Sequence, residues 1–380
     1  MGSFLPLFCF FLVGFRAMVR PSSAALAGFF DGVNAIYSFG DSLADTGNLI
    51  REVNNSFSFA ISHLPYGETT LIIFKEPTGR ATDGLLIIDY FALALRLPFV
   101  QSYLEKDGDF THGINFAVGG ATALDSSFFE EKGLVLFTNS SLGVQLQWFK
   151  AYLKSICSSS AECTHKLANT LFLLGEIGGN DYNYPLLEGK SLQETTGYLP
   201  YVVKRIIDAA EEVVEAGAVK IVIPGNFPIG CLPIYLTVYK TPNQEAYDEH
   251  GCLKSLNKFA KLHNKVLIKA IKALRVTYQH ATFVYADYYN AFMHLITNAA
   301  SLGFDENLLL KSCCGIGGEY NYNASQTCGA PGVPVCQNPA KQISWDGLHL
   351  TQEAYKDIAQ TLISGEYTEP KLYECVENKE

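Results

Sequence analysis

Gly40-Asp41-Ser42-Leu43 near the start of the chain and Asp346-Gly347-Leu348-His349 near its end hold the side chains that make a hydroxyl nucleophilic. A serine hydroxyl attacks slowly near neutrality unless a base removes its proton, and the base needs an orienting carboxylate. Ser42 is the candidate nucleophile and His349 the candidate base. Asp346, three residues before His349, is the candidate orienting group. Acyl transfer also needs hydrogen-bond donors aimed at a developing oxyanion. Two glycine-rich segments suit that task. Asn115-Phe116-Ala117-Val118-Gly119-Gly120-Ala121-Thr122 offers backbone N–H groups, and Gly175-Glu176-Ile177-Gly178-Gly179-Asn180-Asp181 offers the Asn180 amide. Taken singly, each of these segments also reads as an ordinary turn beside a strand.

The surrounding elements place these groups. Ala35-Ile36-Tyr37-Ser38 is a short apolar run that reads as a buried strand and delivers Ser42 to its carboxyl end. Open α/β sheets place their ligands at that edge. Further strands are read at Leu171-Phe172-Leu173-Leu174, Val219-Lys220-Ile221-Val222-Ile223 and Thr282-Phe283-Val284-Tyr285. Helical periodicity lies between them, over Tyr198–Ala216 with Gly217 as a stop and along a stripe from Leu256 to Leu274. After His349, Thr351 can cap a last helix that ends before Gly365. The alternation predicts an α/β fold with a parallel sheet covered on both faces. No internal repeat, low-complexity tract or charged linker divides it. Segments 51–82 and 313–342 are rich in turn formers and are expected to be long surface excursions.

Composition narrows the function classes. With 48% hydrophobic and 17% charged residues over 380 positions, the chain is globular. The net charge is −10 and no basic run occurs, so nucleic acid is not an expected partner. The acidity gives at most a mild preference for cationic small molecules. Phe4 to Phe15 is apolar but too short to span a membrane, and Ala25-Leu26-Ala27 offers a small-x-small cleavage site. The expectation is a signal peptide over 1–27 and one domain over 28–380. Entry to the secretory pathway would follow, with no membrane span in the mature chain.

Ten cysteines agree with that route. Cys157 with Cys163, and Cys231 with Cys252, are candidate bridges. Cys313, Cys314, Cys328 and Cys336 read as a disulfide-stapled loop, because the Cys-x-x-Cys pairs of a zinc site are absent. Asn54, Asn139 and Asn323 head glycosylation sequons. There is no Gly-x-Ser-x-Gly elbow, no His-Glu-x-x-His helix and no phosphate-binding Gly-x-x-x-x-Gly-Lys. No cofactor or metal is expected.

Four blocks stand in order: Gly40-Asp41-Ser42-Leu43, Gly119-Gly120, Gly178-Gly179-Asn180-Asp181 and Asp346-Gly347-Leu348-His349. Over residues 34–365 the chain resembles the plant GDSL esterase/lipase family within the SGNH hydrolases. The resemblance implies a three-layer α/β/α flavodoxin-like fold and metal-free ester hydrolysis through Ser42, His349 and Asp346. The oxyanion donors it implies are the N–H groups of Ser42 and Gly120 and the Asn180 side chain. Pro65-Tyr66-Gly67-Glu68-Thr69, Gly119-Gly120-Ala121-Thr122-Ala123-Leu124-Asp125, Tyr285-Ala286-Asp287-Tyr288-Tyr289 and Cys313-Cys314-Gly315-Ile316-Gly317-Gly318 are similar to acetylajmalan esterase-like and sinapine esterase-like members. That similarity implies small acyl esters of specialised metabolites, such as alkaloid or phenolic esters, as substrates, and an extracellular or vacuolar location. An acyltransferase with an alcohol acceptor and a non-catalytic binding protein on the same fold are the alternative readings.

Overall fold

The computed structural model describes residues 28–52 and 59–371. The expected signal peptide, the Asn54 sequon, Cys9 and Cys375 lie outside the described residues. Strands β1 (Ala35–Phe39), β2 (Gly113–Asn115), β3 (Thr170–Leu174), β4 (Lys220–Pro224), β5 (Thr282–Ala286) and β6 (Thr368–Glu369) form one sheet in the order β2-β1-β3-β4-β5-β6. All pairings are parallel except β5 with β6. The order of the first five strands is the flavodoxin-like one, with β1 at the point where the chain reverses its direction across the sheet.

Each of the four apolar runs expected to be strands is one. β2 and β6 carried no signal, being three and two residues long. The strands are buried on both faces, and side chains alternate between two helical layers. Tyr37 and Phe39 point to one face, where both rings meet Phe149 of α2 (Leu142–Ile156). Ser38, Leu173 and Val222 point to the other, against Ile88 and Phe91 of α1 (Ile87–Leu95) and Leu362 of α7 (Gln352–Ile363). Helices α4 (Leu199–Glu215) and α5 (Lys254–Thr277) join α2, and α6 (Tyr288–Thr297) joins α1 and α7. In α4 the stripe Val202, Ile206, Ala209 and Val213 is wholly buried. Each large aliphatic there contributes about 1.5–3 kcal/mol of transfer free energy.

The second excursion lies largely at the surface, as its composition suggested, but the first is partly folded inward. In the first, Tyr66, Thr70, Arg80, Ala81 and Thr82 are buried. Arg80 makes a two-pronged ion pair with Asp89 of α1, at 2.9 Å from Nε and 2.8 Å from a terminal nitrogen. Thr82 Oγ1 donates to the Leu350 carbonyl, beside His349, at 2.9 Å. Satisfied buried polar groups, rather than apolar residues, fold this segment inward. In the second, Cys313 pairs with Cys336 and Cys314 with Cys328. Together with the Cys157–Cys163 and Cys231–Cys252 bridges, these use all eight described cysteines.

Candidate active site

The carboxyl ends of β1, β2 and β3 bring three loops together. The turn after β1 needs a glycine at position 40. Its φ is +143°, and a Cβ there would lie 2.7 Å from the Glu176 carbonyl oxygen. That closeness lets the Asp41 N–H donate to the same carbonyl at 3.1 Å, joining the first loop to the third. Val118 N–H donates to the Gly40 carbonyl at 3.1 Å, joining the second to the first. Asp45 then ties the second loop down. Its carboxylate accepts from the N–H groups of Gly47, Asn48, Leu49 and Gly119 at 2.6–2.9 Å.

Across this edge lies the turn before α7, whose first residue is capped by Thr351 as expected, with Oγ1 accepting from Ala354 N–H at 3.3 Å. The turn brings His349 to Ser42. His349 Nε2 is 2.8 Å from Ser42 Oγ, and His349 Nδ1 is 2.7 Å from Asp346 Oδ2. With the proton on Nδ1, His349 donates to Asp346 and Nε2 accepts from the serine hydroxyl. Asp346 Oδ1 accepts the N–H groups of Leu348 and His349 at 3.0 and 2.8 Å. Tyr66 donates its hydroxyl to Asp346 Oδ2 at 2.9 Å.

These contacts set the charges. Burial pushes the Asp346 carboxyl up, but the His349 charge and the hydrogen bonds from His349 and the backbone outweigh it and hold the pKa at about 2. Burial pushes His349 down, but the charge and hydrogen bond of Asp346, with the charge of Asp41, carry it above the ordinary imidazole value. A second acid group lies behind the serine. Burial, followed by the charge of Asp41, raises Glu176 well above the carboxylate range, and its carboxyl hydrogen-bonds to Asp41. Two adjacent buried carboxyls cannot both ionise cheaply, which favours the protonated form of Glu176.

The oxyanion candidates differ in their commitments. Gly119 N–H is spent on Asp45. Among the described residues, the N–H groups of Ser42 and Gly120 have no acceptor. Asn180 Nδ2 donates to Asp41 Oδ2 at 3.1 Å and to the Ala121 carbonyl at 3.0 Å, so both of its protons are engaged. Asn183, on the same helix α3 (Asn180–Leu187), orients it by donating to Asn180 Oδ1 at 3.1 Å. A solvent-open cleft runs over Ser42, His349 and Asn180, walled by Leu43, Phe227, Ile229, Leu232 and Leu348 together with the polar Glu176, Asn183 and Asn226. Apolar walls with a few polar groups at the base are the kind of lining that small-molecule sites use. Asn139 and Asn323, the described sequon asparagines, are exposed and half-buried respectively. No group of three or more His, Cys, Asp or Glu among the described residues is arranged to hold a metal ion. Nor is any described helix long and apolar enough to cross a membrane.

Sequence reasoning missed the groups that hold the site from a distance: Tyr66, Gln145, Glu176 and Asn183. Tyr66 and Glu176 lay inside quoted motifs, but nothing in the local pattern gave them a role. Gln145 and Asn183 carried no signal.

Similarity to known proteins gives the family. The family model for GDSL-like lipase/acylhydrolase matches residues 36–362. Acetylajmalan esterase 1 of Rauvolfia serpentina is 45% identical over 361 residues, covering 95% of this chain and 92% of its own. Sinapine esterase of Brassica napus is 44% identical, covering 90% and 88%. A GDSL esterase/lipase of Arabidopsis thaliana is 43% identical, covering 98% and 94%. The chain belongs to the GDSL-like lipase/acylhydrolase family and is a carboxylic ester hydrolase.

Proposed function

We propose that the chain hydrolyses acyl esters, acetyl esters among them, of small plant specialised metabolites such as alkaloids or phenolics. It does so through an acyl-enzyme on Ser42. Ser42 gives its proton to His349 Nε2 while Oγ attacks the ester carbonyl. The tetrahedral oxyanion lies among the N–H groups of Ser42 and Gly120 and the Asn180 amide, which exchanges one of its resting acceptors for it. The C–O bond to the alcohol then breaks, and His349 returns the proton to the departing oxygen. Water gives a proton to His349 and attacks the acyl carbon. Collapse releases the acid, and the proton passes back to Ser42 Oγ.

The observation that carries the reading is the unbroken line from Ser42 through His349 to Asp346, at 2.8 and 2.7 Å. The free N–H of Gly120 beside the committed N–H of Gly119 supports the choice of oxyanion donor. The partly apolar walls of the cleft and the relatives named for acetylajmalan and sinapine support the substrate class. The working protein is the single domain 28–380 after removal of 1–27, glycosylated at its sequons and held in an extracellular or vacuolar space. A screen of acetylated and hydroxycinnamoyl metabolites, with product identification, tests the class. Free acid and alcohol are the expected products; turnover confined to long-chain glycerides would contradict it.

A further inference from the structure

Asp346 is held from three directions, and one of them comes from far away in the chain. Its Oδ1 takes two backbone N–H groups of its own turn. Its Oδ2 takes His349 Nδ1 and, at 2.9 Å, the hydroxyl of Tyr66, which lies 280 residues earlier. Tyr66 is 5% exposed. Its ring meets Trp345 edge-on at 5.9 Å and packs in a cluster with Cys313, Cys314 and Cys328. Its backbone is fixed as well. Tyr66 N–H donates to the His63 carbonyl, and Gly67 N–H donates to the Thr82 carbonyl at 2.9 Å. A phenol locked in this way presents one proton to one carboxylate oxygen, the oxygen that also faces the imidazole.

We infer that Tyr66 is a positioning residue for the reaction, the outermost member of a chain Tyr66–Asp346–His349–Ser42, and that its hydroxyl tunes how tightly Asp346 holds the imidazole proton. The inference rests on the serine-hydrolase reading above. A hydrogen bond to a carboxylate spreads its charge, so less of it is felt by His349. Removing that donor from a buried site leaves the anion less stabilised. His349 then gains by carrying a positive charge beside it. The other groups facing this pair stay in place: Asp41 from the serine turn with Glu176 behind it, Tyr322 from the cysteine loop, and Tyr355 from α7. A change in the imidazole on removing the phenol hydroxyl is therefore attributable to that hydroxyl. The stapled loop also acquires a role, because its disulfides pack the floor against which the Tyr66 ring is set.

The test uses Tyr66→Phe, which keeps the ring and its contact with Trp345, and Tyr66→Met, a second substitution that removes the donor. Each is measured for kcat and KM across pH, with a thermal melt to check folding. The acidic limb of kcat/KM is expected to move to higher pH by about half a unit or more. Plateau kcat is expected to fall about tenfold, the low end of what a hydrogen bond to a charged group contributes, with KM little changed. A limb that stays in place or moves to lower pH in the folded variants overturns the inference, whatever happens to kcat, because a purely structural role lowers activity without moving the imidazole. Ser42→Ala, run alongside, separates the two levels. If it abolishes turnover while the Tyr66 limb is unmoved, only the tyrosine inference fails. If it retains turnover, the underlying reading fails.

Discussion

Gln145 grips Gly40 at both ends of its backbone: Gly40 N–H donates to Gln145 Oε1 at 2.9 Å, and Gln145 Nε2 donates to the Gly40 carbonyl at 2.8 Å. Both residues are buried. A side chain of α2 thus fixes the turn that carries Ser42, from 105 residues away. Gln145→Leu would keep the volume but leave the Gly40 N–H buried without a partner. The expected cost is about 1–3 kcal/mol of stability, the desolvation penalty of one orphaned group. A slackened nucleophile turn should also lower kcat by between about ten- and a hundredfold. Urea unfolding and steady-state kinetics measure the two effects. A variant with unchanged kcat would mean that the turn holds its own shape.

Asn180 is expected to matter in the transition state more than in the ground state. At rest its amide is occupied by Asp41 and Ala121. A developing negative charge competes well with the neutral Ala121 carbonyl and with an Asp41 carboxylate already shared with Glu176. Asn180→Ala should lower kcat by roughly a hundredfold or more, with a smaller change in KM. A raised KM at constant kcat would make Asn180 a ground-state contact.

The pH profile follows from the charges around His349. The imidazole must be neutral to accept the serine proton, and Asp346 with Asp41 raises its pKa above the ordinary value of about 6.5. Activity should therefore rise along an acidic limb in kcat/KM centred above that value. Asp346→Asn removes the counter-charge, so burial dominates and the limb should move to lower pH. The asparagine also no longer favours the productive tautomer, and kcat should fall by up to about 10⁴. A limb that does not move in this variant would exclude His349 as the group seen.

Stability should run the other way from the catalytic limb. Burial raises Asp181 to about 7 against the N–H groups of Leu124 and Ala123, and raises Glu176 well above the carboxylate range. An acid whose folded pKa exceeds its unfolded value binds more protons when folded between the two. Its contribution is complete below the unfolded value of about 3.9 and is lost as pH rises through the folded one. The melting temperature is expected to be higher near pH 5 than near pH 8. Asp181→Asn keeps an acceptor oxygen and should flatten part of that slope. A melting temperature that rises steadily from pH 5 to 8 would contradict the assignment.

Local patterns made the candidate site residues legible, and distance hid what packs behind them. Ser42 and His349 sit in short motifs next to a strand and a helix cap. Even so, spacing alone does not select His349. Asp109 and His112 show the same interval, but they lie on the other side of the sheet, before β2, where His112 Nδ1 faces the Asn34 carbonyl at 3.1 Å. Four strands were visible as apolar runs. β2 was not, because its three residues are fixed by pairing with Ile36, Tyr37 and Ser38 rather than by their own pattern. The burial of Tyr66 and of the Arg80–Asp89 pair could not be read from segments full of turn formers. What folds the segment inward is the Arg80–Asp89 pair together with hydrogen bonds to Asp346 and Leu350, far along the chain.

The proposed hydrolysis stands or falls on acyl-enzyme formation at Ser42. A fluorophosphonate that mimics the tetrahedral intermediate tests it in one measurement, with peptide mass mapping of the adduct followed against residual esterase activity. The expected result is one adduct per chain on the peptide containing Ser42, formed in step with loss of activity and absent from folded Ser42→Ala. An adduct on another residue, or full inactivation with Ser42 unmodified, would contradict it.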